Sequence, residues 1–397
     1  MTINAVENKS KVAIVVVGYN RINSIRRLLS SLDKSYYDNI DDIPLVISID
    51  ASGDEELYDY ARSYKWNYGE RYVIIRENRL GLKRHIFECG NLTSCFKAII
   101  LLEDDIYVSP FFYDYVLKTL DYYKDEIDAA CIGLYSYSSN IYAALPFAPL
   151  QTEYDVYGIQ ATITWGECWN ERMWQDFQEW LKQNDPIEWS ELDIPNNVKN
   201  FKRAWSKYFT AYLSATDKYV IAPYRSYTTN FSEAGEHRAT GDNCVQVPFV
   251  RRLEDFRFGA VSKLVKYDSF FDPVGLESYL SVSRDDLCVD FYSLRPNNRN
   301  CRFLLTTDIL PYRIIRTFAL AEKPIEANVI DNVDGIGIYL YDLSVRDNNR
   351  KTDLNTIQSI TYRLQMFRPI LLKKYLKAFI IDTIGDKLKK FIKCTKR

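Results

Sequence analysis

No Cys-x-x-Cys pair occurs among the eight cysteines, which stand at 89, 95, 131, 168, 244, 288, 301 and 394. Scattered in this way, without an export signal ahead of them, they are expected to be reduced thiols in a cytoplasmic protein. The first apolar run, Val12 to Val17, is too short for a signal peptide and reads as a strand. No apolar run reaches 18 residues, so no spanning helix is expected. A Gly-x-Gly-x-x-Gly turn is also missing: the first strand is followed by Gly18-Tyr19-Asn20-Arg21, and no P-loop Lys-Ser/Thr pair follows any strand. These two absences disfavour a dinucleotide-dependent dehydrogenase and a P-loop nucleotidase. No nucleic-acid partner is expected.

What remains is an ordinary globular composition with an uneven distribution of charge. The 397 residues are 47% hydrophobic and 26% charged, with 31 Tyr, 20 Phe and 7 Trp. That length accommodates two or three domains. The net charge is −2, yet residues 363–397 carry eleven Lys and Arg against Asp382 and Asp386, which leaves −11 on residues 1–362.

Residues 11 to 110 alternate apolar strands with amphipathic helices. "KVAIVVVGY", "PLVISID", "YVIIRE" and "KAIILLEDD" read as strands. "NSIRRLLSSLDKSYY", "EELYDYARSY" and "LKRHIFECGNLTSCF" read as helices, the last broken near Gly90. This alternation predicts an α/β fold, a mostly parallel sheet with helices on both faces. Ligands of such sheets collect beyond the carboxyl ends of the strands. The fourth of those ends carries Glu103, Asp104 and Asp105 in succession. Three adjacent negative charges call for a cation, and a hard divalent ion bridging phosphate groups would satisfy them. The competing reading is an acidic turn capping a helix that begins near Pro110.

The segments "VAIVVVGYNR", "VISIDASGDEE", "ENRLGLK" and "AIILLEDDIYVSPFFYDYV" together resemble nucleotide-sugar-dependent glycosyltransferases of the GT-A fold. The likeness is to the N-acetylglucosaminyltransferase I family and its bacterial relatives. It continues through "GIQATITWGECWNERMW" (158–174) and "APYRSYTTNFSEAGEHRATG" (222–241), so it covers roughly residues 10–245. The resemblance implies a UDP-sugar donor and Mn2+ or Mg2+. It implies Asp105 as a metal ligand, with Glu103 and Asp104 toward ribose and donor sugar. Asp50 falls where the family meets the uracil ring, Arg21 at a base- or phosphate-contacting position, and Lys83 where a basic residue meets the diphosphate. His237 matches the family's closing histidine, a second metal ligand or diphosphate contact, or else a solvated loop residue. Arg238 beside it is placed to meet phosphate, whereas His85 reads as a packing residue.

Inversion at the sugar carbon needs a general base for the acceptor hydroxyl. Where the family carries a carboxylate after a tryptophan, this chain has Trp205-Ser206-Lys207-Tyr208-Phe209. The remaining candidates are Glu191 and Asp193 in "EWSELDIPN" and Glu167 beside Trp165-Gly166. The missing carboxylate also motivates a rival reading, a protein of the same fold that binds nucleotide sugar or glycan without catalysis.

Three regions are expected: a GT-A-like domain over 1–260, a small β-rich appendage over 261–345, and a basic amphipathic tail over 346–397. In the tail, Leu371, Leu372, Tyr375, Phe379, Ile380, Ile384, Leu388, Phe391 and Ile392 recur at roughly helical spacing among lysines. Basic helices of this kind lie on anionic membranes, or dock on an acidic body. The reading is a peripheral enzyme on the inner face of a bacterial membrane that extends a glycan or lipid-linked glycan acceptor during surface-glycan synthesis. A membrane-bound scaffold is the further alternative.

Overall fold

The computed structural model describes residues 8–37, 40, 42–231, 233, 245–295, 301–347, 357–364, 376, 377 and 380. The apolar run Val12–Gly18 (β1) is buried along its whole length, as a central parallel strand covered on both faces must be. Around it the predicted alternation is realised in full. Helix α1 (Ile22–Leu32) leads to β2 (Leu45–Ile49), α2 (Glu55–Ser63) to β3 (Arg71–Ile75), and α3 (Leu82–Gly90) to β4 (Ala98–Glu103). Strand β1 pairs in parallel with β2 on one side and β4 on the other, and β2 pairs in parallel with β3. The chain therefore winds outward from β1 in one direction and then returns to its other side. Between the carboxyl ends of β1 and β4 lies the topological switch point of the sheet.

Beyond β4 the chain forms β5 (Ile106–Val108), α4 (Phe112–Tyr123), β6 (Ala129–Gly133), and a small pair, β7 (Ser139–Asn140) with β8 (Leu145–Pro146). It continues through β9 (Val156–Ile159), β10 (Glu167–Asn170), α5 (Glu171–Gln183), α6 (Asn196–Lys199), α7 (Ser206–Thr216), β11 (Tyr219–Pro223), β12 (Thr228–Asn230) and β13 (Lys266–Tyr267). The nine-stranded sheet has the order β13-β9-β11-β6-β10-β4-β1-β2-β3. Strand β10 enters it antiparallel, wedged between β4 and β6. Strand β12 instead pairs antiparallel with β5 in a separate ribbon at the switch point.

The acidic run does not cap a helix. Strand β5 separates it from α4, whose N-cap residue is Phe111 and whose first turn takes no side-chain cap bond. The break foreseen at Gly90 is also present: α3 ends there and a 3-10 turn, Asn91–Ser94, follows. A Cβ at Gly90 would lie 2.0 Å from the Trp174 ring, so the glycine lets α3 rest directly on α5. Trp174 Nε1 then donates to Asn91 Oδ1 at 2.9 Å.

The β-rich region is a four-stranded sheet made of β14 (Leu287–Asp290), β15 (Phe303–Thr306), β16 (Tyr312–Ala319) and β17 (Gly337–Arg346). Its Phe291, Leu305, Phe318 and Leu340 belong to the same buried core as the main sheet. The boundary expected at 260 falls ahead of β13, which pairs with β9 at the edge of the main sheet. Arg363, within the expected tail and the first residue of its basic segment 363–397, is buried in the body. Its guanidinium donates to the Phe291 carbonyl and lies 5.0 Å from the Tyr292 ring. Nearly all of the remaining tail lies outside the described residues. Among those described, no helix is long and apolar enough to cross a membrane.

His85 packs in the core between α3 and β2, 2% exposed, with its Nε2 2.8 Å from Ser48 Oγ. Burial pushes its pKa down to about 4, against the raising effect of Asp50. The folded protein thus keeps His85 neutral where the unfolded chain, titrating near 6.5, takes a proton. Its contribution to stability is complete above pH 6.5 and is lost as pH falls toward 4. Between pH 7 and 4.5 the wild type should lose about 2 kcal/mol more unfolding free energy than His85→Gln, measured by urea denaturation of both. Equal losses would place the histidine outside this account.

Candidate active site

The switch point brings together residues that are more than eighty positions apart. Arg21 is the N-cap residue of α1, with no cap bond of its own, and its side chain turns to the end of β4. The guanidinium donates from Nε to Asp104 Oδ2 at 3.2 Å, from Nη2 to Asp104 Oδ1, and from Nη2 to Asp105 Oδ2 at 3.2 Å. Asp104 is buried, and burial pushes its carboxyl up to about 7 in spite of the guanidinium beside it. Burial, with the charges of Asp105 and Asp104, pushes Glu103 up to about 8. The Asp105 side chain is more exposed than that of its neighbour Asp104, at 19% against 4%. Among the described residues Arg21 is the one cation in ion-pair contact with the run, so three carboxylates share a single positive charge.

Other elements complete the surroundings. The ribbon of β5 and β12 sets Asn230 opposite Ile106, and Asn230 Nδ2 donates to Asp105 Oδ1 at 2.9 Å. The next amide, Phe231 N, donates to the Asp105 carbonyl at 2.9 Å. Glu233 accepts from both terminal nitrogens of Arg27 on α1, at 2.7 and 2.6 Å, and from Ser24 Oγ. Bonding to Arg27 is the main reason its carboxyl is held down at about 2. Trp205, at the start of α7, donates from Nε1 to Glu103 Oε1 at 3.4 Å. The tryptophan followed by no carboxylate therefore does reach the acidic run, as a hydrogen-bond donor.

Lys83 lies on the first turn of α3, its Nζ 3.9 Å from the centroid of the Tyr208 ring on α7. Asp50, at the end of β2, is buried and its carboxylate accepts three backbone N–H groups, from Ala51, Leu80 and Gly81. It ties the end of β2 to the turn that starts α3, a fixed scaffold for Lys83. His237 and Arg238 lie outside the described residues.

The three base candidates are dispersed. Glu167 sits on β10 opposite Leu101, so its side chain shares a sheet face with Glu103, two residues along β4. It is 1% exposed, accepts from Ile163 N at 2.7 Å through Oε1, and leaves Oε2 without a partner. Burial holds this carboxyl well above the ordinary range, with Glu103 adding to the effect, which favours its protonated form. Asp193 is paired with Arg295 at 2.9 Å. Glu191 is exposed, in the same loop as Trp189, whose ring lies 5.3 Å from that of Tyr208.

Arg27, Asn230 and Glu233 were not singled out from the sequence. Asn230 falls inside the "P…S…N" segment that carries the family likeness, which was its one available signal. Arg27 and Glu233 pair across some two hundred residues and left none.

No protein-family model matches the chain, and neither does any curated protein. Solved structures of related shape include residues 1–349 of S. aureus TarS in complex with UDP-GlcNAc, with TM-score 0.37 and 16% identity over 57% of this chain and 60% of that one. The mannosyltransferase PcManGT from Pyrobaculum calidifontis, in complex with GDP-Man and Mn2+, gives 0.34 and 11% over 57% and 61%. GalNAc-T7 with UDP, GalNAc and Mn2+ gives 0.39 and 13% over 55% and 43%. The chain thus matches less than two thirds of the length of each. Similarity at this level carries no argument about activity, and the functional reading rests on the geometry above.

Since burial favours the protonated form of Glu167, Glu167→Gln should change unfolding free energy by less than about 1 kcal/mol. Glu167→Ala, which opens a cavity and strips Ile163 N of its acceptor, should cost about 2–4 kcal/mol. Both are read from urea denaturation at pH 7. A Gln variant as damaged as the Ala variant would mean that the carboxyl is ionised.

Proposed function

We propose that this chain is a glycosyltransferase that moves a sugar from a UDP-sugar to a glycan or lipid-linked glycan acceptor, with inversion at the anomeric carbon. The observation that carries the reading is the Glu103-Asp104-Asp105 run at the switch point, desolvated and matched by one guanidinium. The donor set suits a hard divalent cation: oxygen atoms throughout, an excess of negative charge, and in Asp105 a carboxylate with access to solvent. Among the described residues no three His, Cys, Asp or Glu side chains converge as a metal cage. Mn2+ and Mg2+ fit such a site because they are commonly held by one or two carboxylates, with substrate phosphates and water completing the shell. Asp105 would hold the ion, which when bound supplies positive charge to a departing diphosphate.

The chain's own residues do the rest. Arg21 holds Asp104 and Asp105 in one orientation, and Asn230 fixes Asp105 from the opposite side. Trp205 orients Glu103 toward the donor, and Lys83 faces the diphosphate across the ring of Tyr208. For the proton we choose Glu191. Of the three candidates it is exposed and its carboxylate is free of partners among the described residues, whereas Glu167 is buried and Asp193 is bound to Arg295. The acceptor hydroxyl gives its proton to Glu191 as its oxygen bonds to the anomeric carbon. The bond from that carbon to the diphosphate breaks, and its electron pair leaves with the phosphate oxygen.

A role in bacterial surface-glycan synthesis, and attachment to anionic lipid through the tail beyond Arg363, belong to the same proposal. They are motivated by the family resemblance and by the basic amphipathic pattern. The rival reading, binding without catalysis, is favoured by the missing carboxylate after Trp205, where the chain has Ser206.

Release of UDP from a panel of UDP-sugars, with Mn2+ and candidate glycan acceptors, tests the proposal. Wild type should turn over one donor, Asp105→Asn should lose activity, and Glu191→Gln should fall by about a hundredfold or more with donor binding unchanged. Donor binding without turnover on any acceptor would favour the rival, and full activity of Glu191→Gln would remove that residue as the base.

A further inference from the structure

A second concavity lies on the same edge of the sheet, at the carboxyl ends of β6 and β11, with a volume of about 670 Å³. That is within the range of pockets that bury small ligands. Its walls are largely apolar and include four aromatic residues, Tyr137, Phe147, Tyr224 and Phe249, and its lining also carries Arg225, Arg251, Arg252 and Glu254. Three guanidinium groups against one carboxylate give this pocket a net positive charge, although residues 1–362 as a whole carry −11.

The arginines are not equivalent. Arg225 and Arg252 are spent on Glu254, at 2.8 and 3.0 Å. Arg251 has no carboxylate partner among the described residues. Its guanidinium carbon lies 4.6 Å from the centroid of the Phe249 ring, and both residues line the pocket. The planar fork of a guanidinium matches a carboxylate or phosphate in bidentate fashion, while the aromatic walls suit the apolar face of a sugar ring.

The pocket is also joined to the carboxylate site. Ser226, in its floor, accepts from Ser136 N at 2.6 Å, and the Ser226 carbonyl accepts from Val250 N at 2.9 Å. Two residues further on begins β12, whose Asn230 holds Asp105. Val247 N, from the opposite wall, donates to Thr229 Oγ1 at 3.0 Å.

We infer that this pocket binds an anionic sugar unit of the acceptor, with the ring against the aromatic wall and its carboxylate or phosphate on Arg251. The inference rests on the glycosyltransferase reading for the word acceptor. The anion-binding pocket itself stands or falls separately.

Saturation-transfer NMR and competition titrations at low salt would use three probes: glucuronate, glucose 6-phosphate and glucose. At least one anion should bind tenfold or more tightly than glucose, and which of the two does so separates a uronic-acid acceptor from a phosphate-bearing one. Arg251→Glu should reduce that binding at least tenfold. Arg251 is exposed and its side chain makes no hydrogen bond or ion pair with the described residues, so the thermal unfolding transition of this variant should match wild type. Titration of UDP with Mn2+ should be unaffected by the substitution. Glucose binding as well as the anions, no probe binding at all, or anion binding indifferent to Arg251→Glu would each overturn the inference. Anion binding that persists in a protein unable to bind UDP would leave this pocket intact and remove the donor-site reading instead.

Discussion

The structure depends on one under-neutralised electrostatic contact, Arg21 against Asp104 and Asp105. Carboxylates leaving water incur a penalty of several kcal/mol each unless charge and hydrogen bonds replace the solvent. At the end of β4 a single guanidinium does this for two of three acids, and the third, Glu103, is driven toward its neutral form. A fold selected for stability alone would have little use for this run. A fold that takes up a cation together with its substrate needs such a deficit of positive charge.

The surrounding architecture keeps that deficit in place. Crossing from β3 back to β4 puts the ends of β1 and β4 side by side, so Arg21 and the acidic run face each other with no long loop between them. The β5/β12 ribbon returns a distant segment to the same point and fastens it through Asn230 and Phe231. Strand β10 brings Glu167 onto the same sheet face as Glu103, and α7 brings Trp205. Four separate stretches of chain thus converge on one acidic turn. The arginine-lined pocket shares the 226–230 segment with it, so a ligand in either place would act on a common strand.

The first half of this arrangement was legible in the sequence because its signals are local. Buried parallel strands read as unbroken apolar runs, and every strand from Val12–Gly18 to Ala98–Glu103 appears where those runs predict. The break of α3 at Gly90 was legible for the same reason. The second half is built from long-range pairings that leave no local periodicity: the four-residue β10 wedged antiparallel between β4 and β6, the two-residue β13 at the far edge, and β12 leaving the main sheet to pair with β5. Residue type also misled where environment decides chemistry. Glu167 was one of three base candidates, but its burial holds its carboxyl well above the ordinary range. The motif lacks its carboxylate after Trp205, but the indole N–H of that tryptophan is bonded to Glu103. The helix-cap reading of the acidic run was open in sequence because three residues of β5 suffice to separate it from α4, and no composition rule marks so short a strand.

The central claim is that Asp105 and its neighbours hold a divalent cation for a nucleoside diphosphate. Calorimetric titration of UDP into the protein, with Mn2+, then with excess chelator, then with Asp105→Asn in Mn2+, tests it most directly. The account predicts saturable binding that requires the metal and is lost in the variant. UDP binding indifferent to both metal and substitution, or no binding to folded wild-type protein, would contradict it.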